Sequence, residues 1–341
     1  MFWMLTIAAL AGYGDAVDGH PNPAERSIHL WTNAARIEPV AFRSELSCWS
    51  SFSEHERAPK SPLALADELS FAARFHADDM AANDHFSHSS SDGTDFGTRV
   101  SRFYGGMGIG ENIALGAPTP RSAVLGWLCS AGHRENIMSD WVELGTGYAT
   151  GPVRDFGGRD APYYVQNFGS RNVSSPVLRM GAAERSGGEA TFYVDYDGAA
   201  PDVIEVVVEG EAIELDLTFG TEATGVWSVA LPVSGECARY YFRAVAGEAV
   251  HRFPEEGAYG VGTCADADDV DAAWFAPAST PVPDDDALAD ADLGGGGGGC
   301  AGDVPWDAID DGGCATAPFG GPLALAGLLL LRRRRRGDAA R

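Results

Sequence analysis

The sequence is poor in basic residues, and this shortage excludes one large class of functions. Its 341 residues include 24 Lys and Arg against 49 Asp and Glu, for a formal net charge of -25. A protein that binds the phosphate backbone of a nucleic acid needs clustered Lys and Arg to neutralise it. We therefore expect no nucleic-acid partner for this chain.

Closely spaced cysteines and common catalytic signatures are also missing. The six cysteines form no CxxC pair, which disfavours a zinc ribbon or a thioredoxin-like motif. The sequence contains no HExxH helix, and its glycine-rich stretch YGGMGIGENIALG is not followed by GKS or GKT, as a phosphate-binding loop would be. These absences leave the function to be sought in other residues.

The two ends of the chain have features of an exported protein. Residues 1–19 begin with a short apolar stretch that predicts a secretory signal, although a buried first helix is the alternative. In residues 314–341, Cys314 precedes an apolar run and then the five arginines at 332–336. This pattern predicts either a membrane anchor with the upstream chain outside or a transient sorting segment. We therefore expect an extracellular or outer-surface location.

The middle of the chain divides by composition. A Ser, Gly and Pro-containing linker is expected at 174–188, and the short β-branched and aromatic segments at 189–265 predict a small all-β sandwich of immunoglobulin or fibronectin type III character. This domain is either a spacer or a module for surface or glycan binding. The acidic, glycine-rich residues 266–313 predict a disordered stalk.

Export makes disulfides possible, and the distribution of the cysteines favours two of them. Cys48 and Cys129 fall in the first domain, and Cys237 and Cys264 fall in the β-domain, so these two pairs are the simplest pairings. A catalytic thiol at Cys129 is the alternative role for that residue, although no nucleophile signature surrounds it.

Residues 24–172 alternate between helical and strand patterns. Apolar residues recur at helical spacing in 24–40 and 64–84, and a third helix is expected at 121–130. Two strands are expected at 142–149 and 163–169. The pattern predicts a layered helix, strand and helix domain.

Five fragments of this domain resemble the CAP family (cysteine-rich secretory, antigen-5 and pathogenesis-related proteins). In order they are HFSH, GENIA, GWLCSAGHRENIM, ELGTGYA and YVQNFG. The resemblance implies an α+β fold of α-β-α sandwich type, with a surface cleft of two histidines and one or two glutamates that binds divalent cations in some members. The tail resembles the carboxy-terminal sorting signal of myxobacterial surface proteins, which makes Cys314 the candidate processing or lipidation site.

The resemblance places the cleft at His88, Glu111 and His133. Ser130 stands where eukaryotic members have a second glutamate. Two neutral imidazoles and one carboxylate suit a divalent cation such as zinc with an open position, although more weakly than a complete ligand set. Alternatively, Glu111 lies in a loop and accepts backbone hydrogen bonds while His133 caps a helix, and no metal is involved.

Four neighbouring residues have other expected roles. His85 is the alternative first histidine, because it lies three positions before His88. His76, on the second amphipathic helix, is expected to be a surface or hydrogen-bonded histidine without a function. Asn112 and Asn136 are expected to pin loops.

Three functions from different classes remain open. The CAP domain binds a small apolar ligand, such as a lipid or a sterol-like molecule, or a cell-envelope component in its His/Glu cleft. Alternatively, the same residues activate water in a metal-assisted, protease-like hydrolase. The third is a structural or interaction role at the cell surface. Binding is the preferred prediction, and the protein is not expected to be an enzyme.

Overall fold

The computed structural model describes residues 20–172, 174–233 and 237–262, together with the backbone of short strands at 274–275 and 315–317. The signal-like segment at 1–19 lies outside the described residues, as do Cys264, Cys300 and Cys314. The predicted stalk and the predicted tail also lie outside them, apart from those two strands. In the described part, no helix is both long enough and apolar enough to cross a membrane.

Helices form at the three places that the sequence patterns predict, and three more are present among the described residues. The helices are α1 Pro23–Ile37, α2 Glu54–Arg57, α3 Asp67–Asn83, α4 Phe96–Ser101, α5 Pro120–Cys129 and α6 Ala131–Met138, with 3-10 turns at Pro39–Phe42, Trp49–Ser51 and Arg154–Phe156. Helix α1 begins after Asn22, whose side chain accepts from the amide of Glu25 while the Glu25 carboxylate accepts from the amide of Asn22. This capping box satisfies amides that the helix itself cannot bond.

The first domain is built around one sheet. Its strands are β1 Ala64–Leu65, β2 Gly108–Leu115, β3 Glu143–Val153, β4 Arg159–Ser170 and β15 Ala315–Ala317, in the order β1-β3-β4-β2-β15. Strands β3 and β4 confirm the two predicted strands. The glycine-rich stretch forms β2, so the expectation that Glu111 lies in a loop is wrong.

Helices cover both faces of this sheet. Side chains of a strand alternate between its faces. On β4, Tyr163 and Val165 pack with α3, whereas Tyr164 and Phe168 belong to the core that contains α1 and α5. The α-β-α layering predicted for this domain is therefore present.

The second domain consists of two antiparallel sheets with a shared core. Its strands are β5 Leu178–Ser186, β6 Glu189–Asp197, β7 Val203–Val208, β8 Glu211–Glu214, β9 Asp216–Gly220, β10 Thr224–Pro232, β11 Ala238–Ala246, β12 Ala249–Phe253, β13 Ala258–Val261 and β14 Trp274–Phe275. One sheet has the order β5-β6-β10-β9; the other has the order β14-β13-β11-β7-β8, with β12 paired to β11. The rings of Phe192 and Tyr240, one from each sheet, lie 5.0 Å apart. The predicted linker at 174–188 is wrong in part, because β5 occupies most of it.

The second domain packs directly on α1. The ring of Trp31 lies 5.4 Å from the ring of Tyr193 on β6 and 6.3 Å from that of Phe219 on β9. Every residue of α1 from Glu25 to Ile37 is buried. The β-domain therefore covers a helix of the first domain.

The first domain contains a disulfide. A disulfide joins Cys48 to Cys129 at the end of α5, with their Cα atoms 5.4 Å apart. A disulfide-bonded sulfur has no thiolate, so the alternative of a catalytic thiol at Cys129 does not fit this structure. Cys237 is also disulfide-bonded, and its predicted partner Cys264 lies outside the described residues.

Candidate functional site

Glu111 lies at the centre of a buried polar cluster. It is on β2 between Ile109 and Ile113, two side chains that pack towards α4 and α3, and strand alternation points Glu111 the same way. Its side chain is 0% exposed. A carboxylate in such a place needs hydrogen-bond donors and a compensating positive charge.

Arg99 of α4 supplies that charge. One of its terminal nitrogens lies 2.5 Å from Oε2 of Glu111, and both side chains are completely buried. The other terminal nitrogen donates to the carbonyl of His88 at 2.9 Å and to the hydroxyl of Ser90 at 3.2 Å. One arginine therefore holds both the carboxylate and the loop that carries His88.

His88 contacts the second oxygen of the same carboxylate. Its Nδ1 lies 2.9 Å from Oε1 of Glu111, and 23% of its side chain is exposed. An ionised carboxylate only accepts hydrogen bonds, so this contact places a proton on Nδ1 of His88 and the lone pair of a neutral ring on Nε2. The structure thus orients one imidazole towards the surface.

His76 supports the cluster from α3. Its Nε2 lies 2.8 Å from the carbonyl of Ser87, to which it donates, and 3.9 Å from Oε1 of Glu111. Burial lowers the pKa of His76 to about 4, an effect that the nearby Glu111 opposes. The side chain is therefore a neutral donor in the core, which is the hydrogen-bonded role and not the surface role of the two expected for it.

The charge state of Glu111 follows from these neighbours. Burial by itself would raise the pKa of this carboxyl group, but Arg99, His76 and His88 together hold the pKa below its usual value. Glu111 is therefore ionised at neutral pH. This fixed negative charge is what maintains the orientation of His88.

His133 lies on α6, which packs with the opposite face of β2. The side-chain nitrogen of Asn112 donates to the carbonyl of His133 at 3.1 Å, and that of Asn136 donates to the carbonyl of Glu111 at 3.0 Å. The two asparagines thus pin a helix to β2 and not merely loops. Ser130, half-buried at the start of α6, makes no capping hydrogen bond with its side chain.

The ring of His133 is unusual for a buried histidine. It is 6% exposed, and within the described residues neither ring nitrogen has a hydrogen-bond partner. Burial first, and then the nearby His88, lower its pKa to about 4. A neutral imidazole with one unused donor and one unused acceptor is available for a ligand.

The two candidate first histidines have different partners. Nε2 of His85 bonds the carbonyl of Ser89 at 2.9 Å, while His88 makes the contact with Glu111. Sequence reasoning missed Arg99 entirely. The available signal was its helical spacing, since it lies three residues after Phe96 and beside Val100, both of which are buried.

The donor set does not fit the three-ligand metal site that the resemblance implied. Both oxygens of Glu111 are engaged, by Arg99 and by His88. In the described part of the chain, no three His, Cys, Asp or Glu residues are grouped so that they could hold a metal ion. His88, Glu111 and His133 are therefore not assembled as ligands of zinc in this geometry.

Residues 31–168 match the family described as "CAP: Cysteine-rich secretory protein family". Two curated relatives come from Bacillus subtilis (strain 168). The uncharacterized protein YkwD is 35% identical over 97 residues, which are 28% of this chain and 38% of that protein. The uncharacterized membrane protein YlbC is 37% identical over 98 residues, which are 27% of this chain and 24% of that protein. The chain thus spans well under half the length of each.

Two solved structures are similar to part of this chain. An extracellular protein containing a SCP domain from Bacillus anthracis str. Ames has 34% identity and a TM-score of 0.27, covering 32% of this chain and 34% of that chain. An outer surface protein from Borrelia burgdorferi has 23% identity and a TM-score of 0.27, covering 32% of this chain and 78% of that chain. With the family match, the residues described above lead to one assignment: residues 31–168 form a domain of the CAP family.

Proposed function

We propose that this chain is an exported surface protein whose CAP domain binds a small ligand at the cleft edge formed by His88 and His133. Export is supported by the signal-like residues 1–19 and by the disulfide between Cys48 and Cys129, a bond that persists in oxidising compartments. The acidic chain has no excess of basic residues for a nucleic-acid partner.

One observation carries the binding proposal. Both ring nitrogens of His133 are buried without a partner in the described part of the chain. A buried polar atom left without a hydrogen bond costs about 1–3 kcal/mol, so a ligand that bonds this ring recovers that energy. The expected ligand has a polar head for the imidazole and an apolar body. Phe86, in the loop that carries His88, is 44% exposed and offers apolar surface for that body.

Native mass spectrometry of the full chain, purified from an oxidising compartment, tests this proposal. We expect a co-purifying small molecule on the wild-type protein and on His85→Ala, and its loss from His133→Ala. His85 is the matched control, because it is a half-buried histidine of the same region that bonds a backbone carbonyl away from Glu111. Equal occupancy of both variants would refute binding at His133.

The same spectra separate the ligand classes predicted from the sequence. A lipid, a sterol-like molecule, a cell-envelope fragment and a divalent cation such as zinc differ in mass by amounts that a native spectrum resolves. A protein that carries none of them in any preparation would favour the purely structural or interaction role at the cell surface.

Hydrolysis is the second candidate, and the contact between His88 and Glu111 favours it. A carboxylate that fixes the proton on Nδ1 orients the imidazole and raises its basicity, as general-base catalysis requires. An esterase and peptidase screen with wild type, His88→Ala and His85→Ala checks this candidate. Activity that depends on His88 alone would support it, and activity that survives His88→Ala would come from elsewhere.

A further inference from the structure

A groove of about 1070 Å³ lies at the junction of the two domains. It is lined by the amino-terminal ends of α1 and α5, the last turns of α3, and parts of β3 and β5. None of His88, Glu111 and His133 lines it. The groove is therefore separate from the site formed by those three residues.

The groove meets two strands along their edges. Five consecutive residues of β3, 148–152, and three of β5, 183–185, line it. Because side chains alternate between the faces of a strand, a groove that touches consecutive residues contacts the edge of the strand. β1 pairs with β3 only at Glu143 and Leu144, and β5 pairs only with β6 among the described strands. Where they meet the groove, neither edge pairs with another strand among the described residues.

The register shows which backbone groups of β3 point into the groove. The amide of Gly116 donates to the carbonyl of Pro162 at 2.8 Å, so this carbonyl of β4 faces β2 and not β3. Thr150, the partner of Pro162 on β3, therefore forms a non-hydrogen-bonded pair, and its own N–H and C=O point away from β4. Two other even-numbered residues agree. The carbonyl of Leu144 accepts from the amide of Ala66, the residue after β1, at 3.1 Å, and the amide of Tyr148 donates to a side chain of α1 at 3.3 Å.

The groove also holds a cationic group with an unused donor. Arg185 of β5 is half-buried, and its Nε has no hydrogen-bond partner within the described part. The carboxylate of the neighbouring Glu184 is turned to other donors, because it accepts from the indole nitrogen of Trp31 at 2.6 Å and from the hydroxyl of Ser27. A negatively charged group is the natural partner for Arg185.

We propose that this groove binds an extended peptide, which adds a strand to the open edge of β3 at Thr150 and places an acidic side chain at Arg185. Unpaired strand edges are templates for main-chain pairing, and added strands are a recurring mode of peptide recognition. Small side chains along the walls, including Ala81, Ala82 and Ala183, leave room for a main chain. This inference is independent of the ligand at His133.

Phage-displayed random 12-residue peptides, panned on the full chain with its disulfides intact, provide the probe. We expect enriched peptides with β-forming residues and at least one Asp or Glu. One enriched peptide is then synthesised, and its dissociation constant is measured by calorimetry. Thr150→Pro should weaken binding about tenfold, because it removes an outward N–H and leaves the pairing with β4 intact. Thr150→Val keeps that N–H and should bind like wild type.

A second measurement keeps the test valid if Thr150→Pro does not fold. Hydrogen exchange of the wild-type protein should show protection of the Thr150 amide when the peptide is added. Arg185→Ala should weaken binding, and the loss should shrink in high salt, where charge pairs are screened. Failure to enrich any peptide would overturn the proposal, as would unchanged exchange at Thr150. Binding of a soluble cell-wall oligosaccharide at the same residues, with no peptide bound, would assign the groove to glycans instead.

Discussion

Replacing Arg99 with methionine should destabilise the first domain by about 3–5 kcal/mol, the usual consequence of removing one partner from a buried ion pair. Both members of the pair are 0% exposed and 2.5 Å apart, so neither Glu111 nor Arg99 can turn to water. Methionine keeps most of the volume, and the change therefore reports mainly on charge. Such a loss is a large fraction of the roughly 5–15 kcal/mol that typically separates folded from unfolded protein.

Arg154→Met is the matched control. Arg154 is 87% exposed and lies 3.7 Å from Asp84, a surface pair of the kind that contributes little. We expect its removal to change the free energy of unfolding by less than about 0.5 kcal/mol. Urea unfolding followed by far-ultraviolet circular dichroism, with the disulfides intact, compares the two variants with wild type.

The pH dependence provides an independent check on the same pair. Although burial opposes it, the pKa of Glu111 is held below its usual value in the folded protein by Arg99, His76 and His88. A carboxyl group with a depressed folded pKa stabilises the fold above its unfolded pKa, and that stability is lost as the pH falls through the folded pKa. Glu111→Gln should remove this part of the acid sensitivity.

The double variant completes the cycle. Once Arg99 is methionine, changing Glu111 to glutamine removes an uncompensated buried charge, so Arg99→Met with Glu111→Gln should be more stable than Arg99→Met alone. The reasoning would be refuted if Arg99→Met lost no more stability than Arg154→Met, or if the second substitution restored nothing. Either result would mean that the carboxyl group is not held as an ion by this arginine.

Three further outcomes are expected. Gly147→Ala should lower the free energy of unfolding in urea by at least about 1–3 kcal/mol, because the added Cβ would overlap the backbone of α3. Gly105→Ala is the control and should leave that free energy unchanged, because the space around Gly105 is open. Burial raises the pKa of Asp195 from 3.8 to about 7, so its stabilising effect should fade as the pH rises from about 4 to 7, and the unfolding free energy of Asp195→Asn should lack that decline. Cys48→Ser removes the disulfide to Cys129, which lies 81 residues away in sequence, and should lower the free energy of unfolding by about 2–5 kcal/mol. An unchanged melting temperature would contradict this expectation.

Helix and strand positions in the first domain could be predicted because each element has a local signature. Apolar residues at helical spacing predicted α1 and α3, and the ELGTGYA and YVQNFG segments predicted β3 and β4. The glycines of ELGTGYA are needed where α3 approaches the sheet, as the overlap of a Cβ at Gly145 or Gly147 with that helix shows. Ordered motifs also indicated the family and singled out His88 over most other histidines.

The linker was misjudged because local composition does not report what a segment packs against. Residues 174–188 contain Ser, Gly and Pro, yet β5 forms there because β6 pairs with it and α1 packs against it. The same contact makes the β-domain a cover for α1. Sequence patterns describe single elements, whereas burial depends on two elements that meet in space.

The sequence by itself determined α1, α3, α5, β3, β4 and the order of the motifs, because these follow from side-chain periodicity and from resemblance along the chain. The distribution of the cysteines over the domains favoured the pairing of Cys48 with Cys129. The tertiary structure alone decided that Arg99 compensates Glu111 and that the ring nitrogens of His133 are buried without a hydrogen-bond partner among the described residues. It also decided that Thr150 lines a groove between the domains. These facts depend on distances between residues far apart in sequence and on which atoms lose water. The physical reason is that charge compensation and hydrogen-bond satisfaction are properties of a packed interior, which no local pattern encodes.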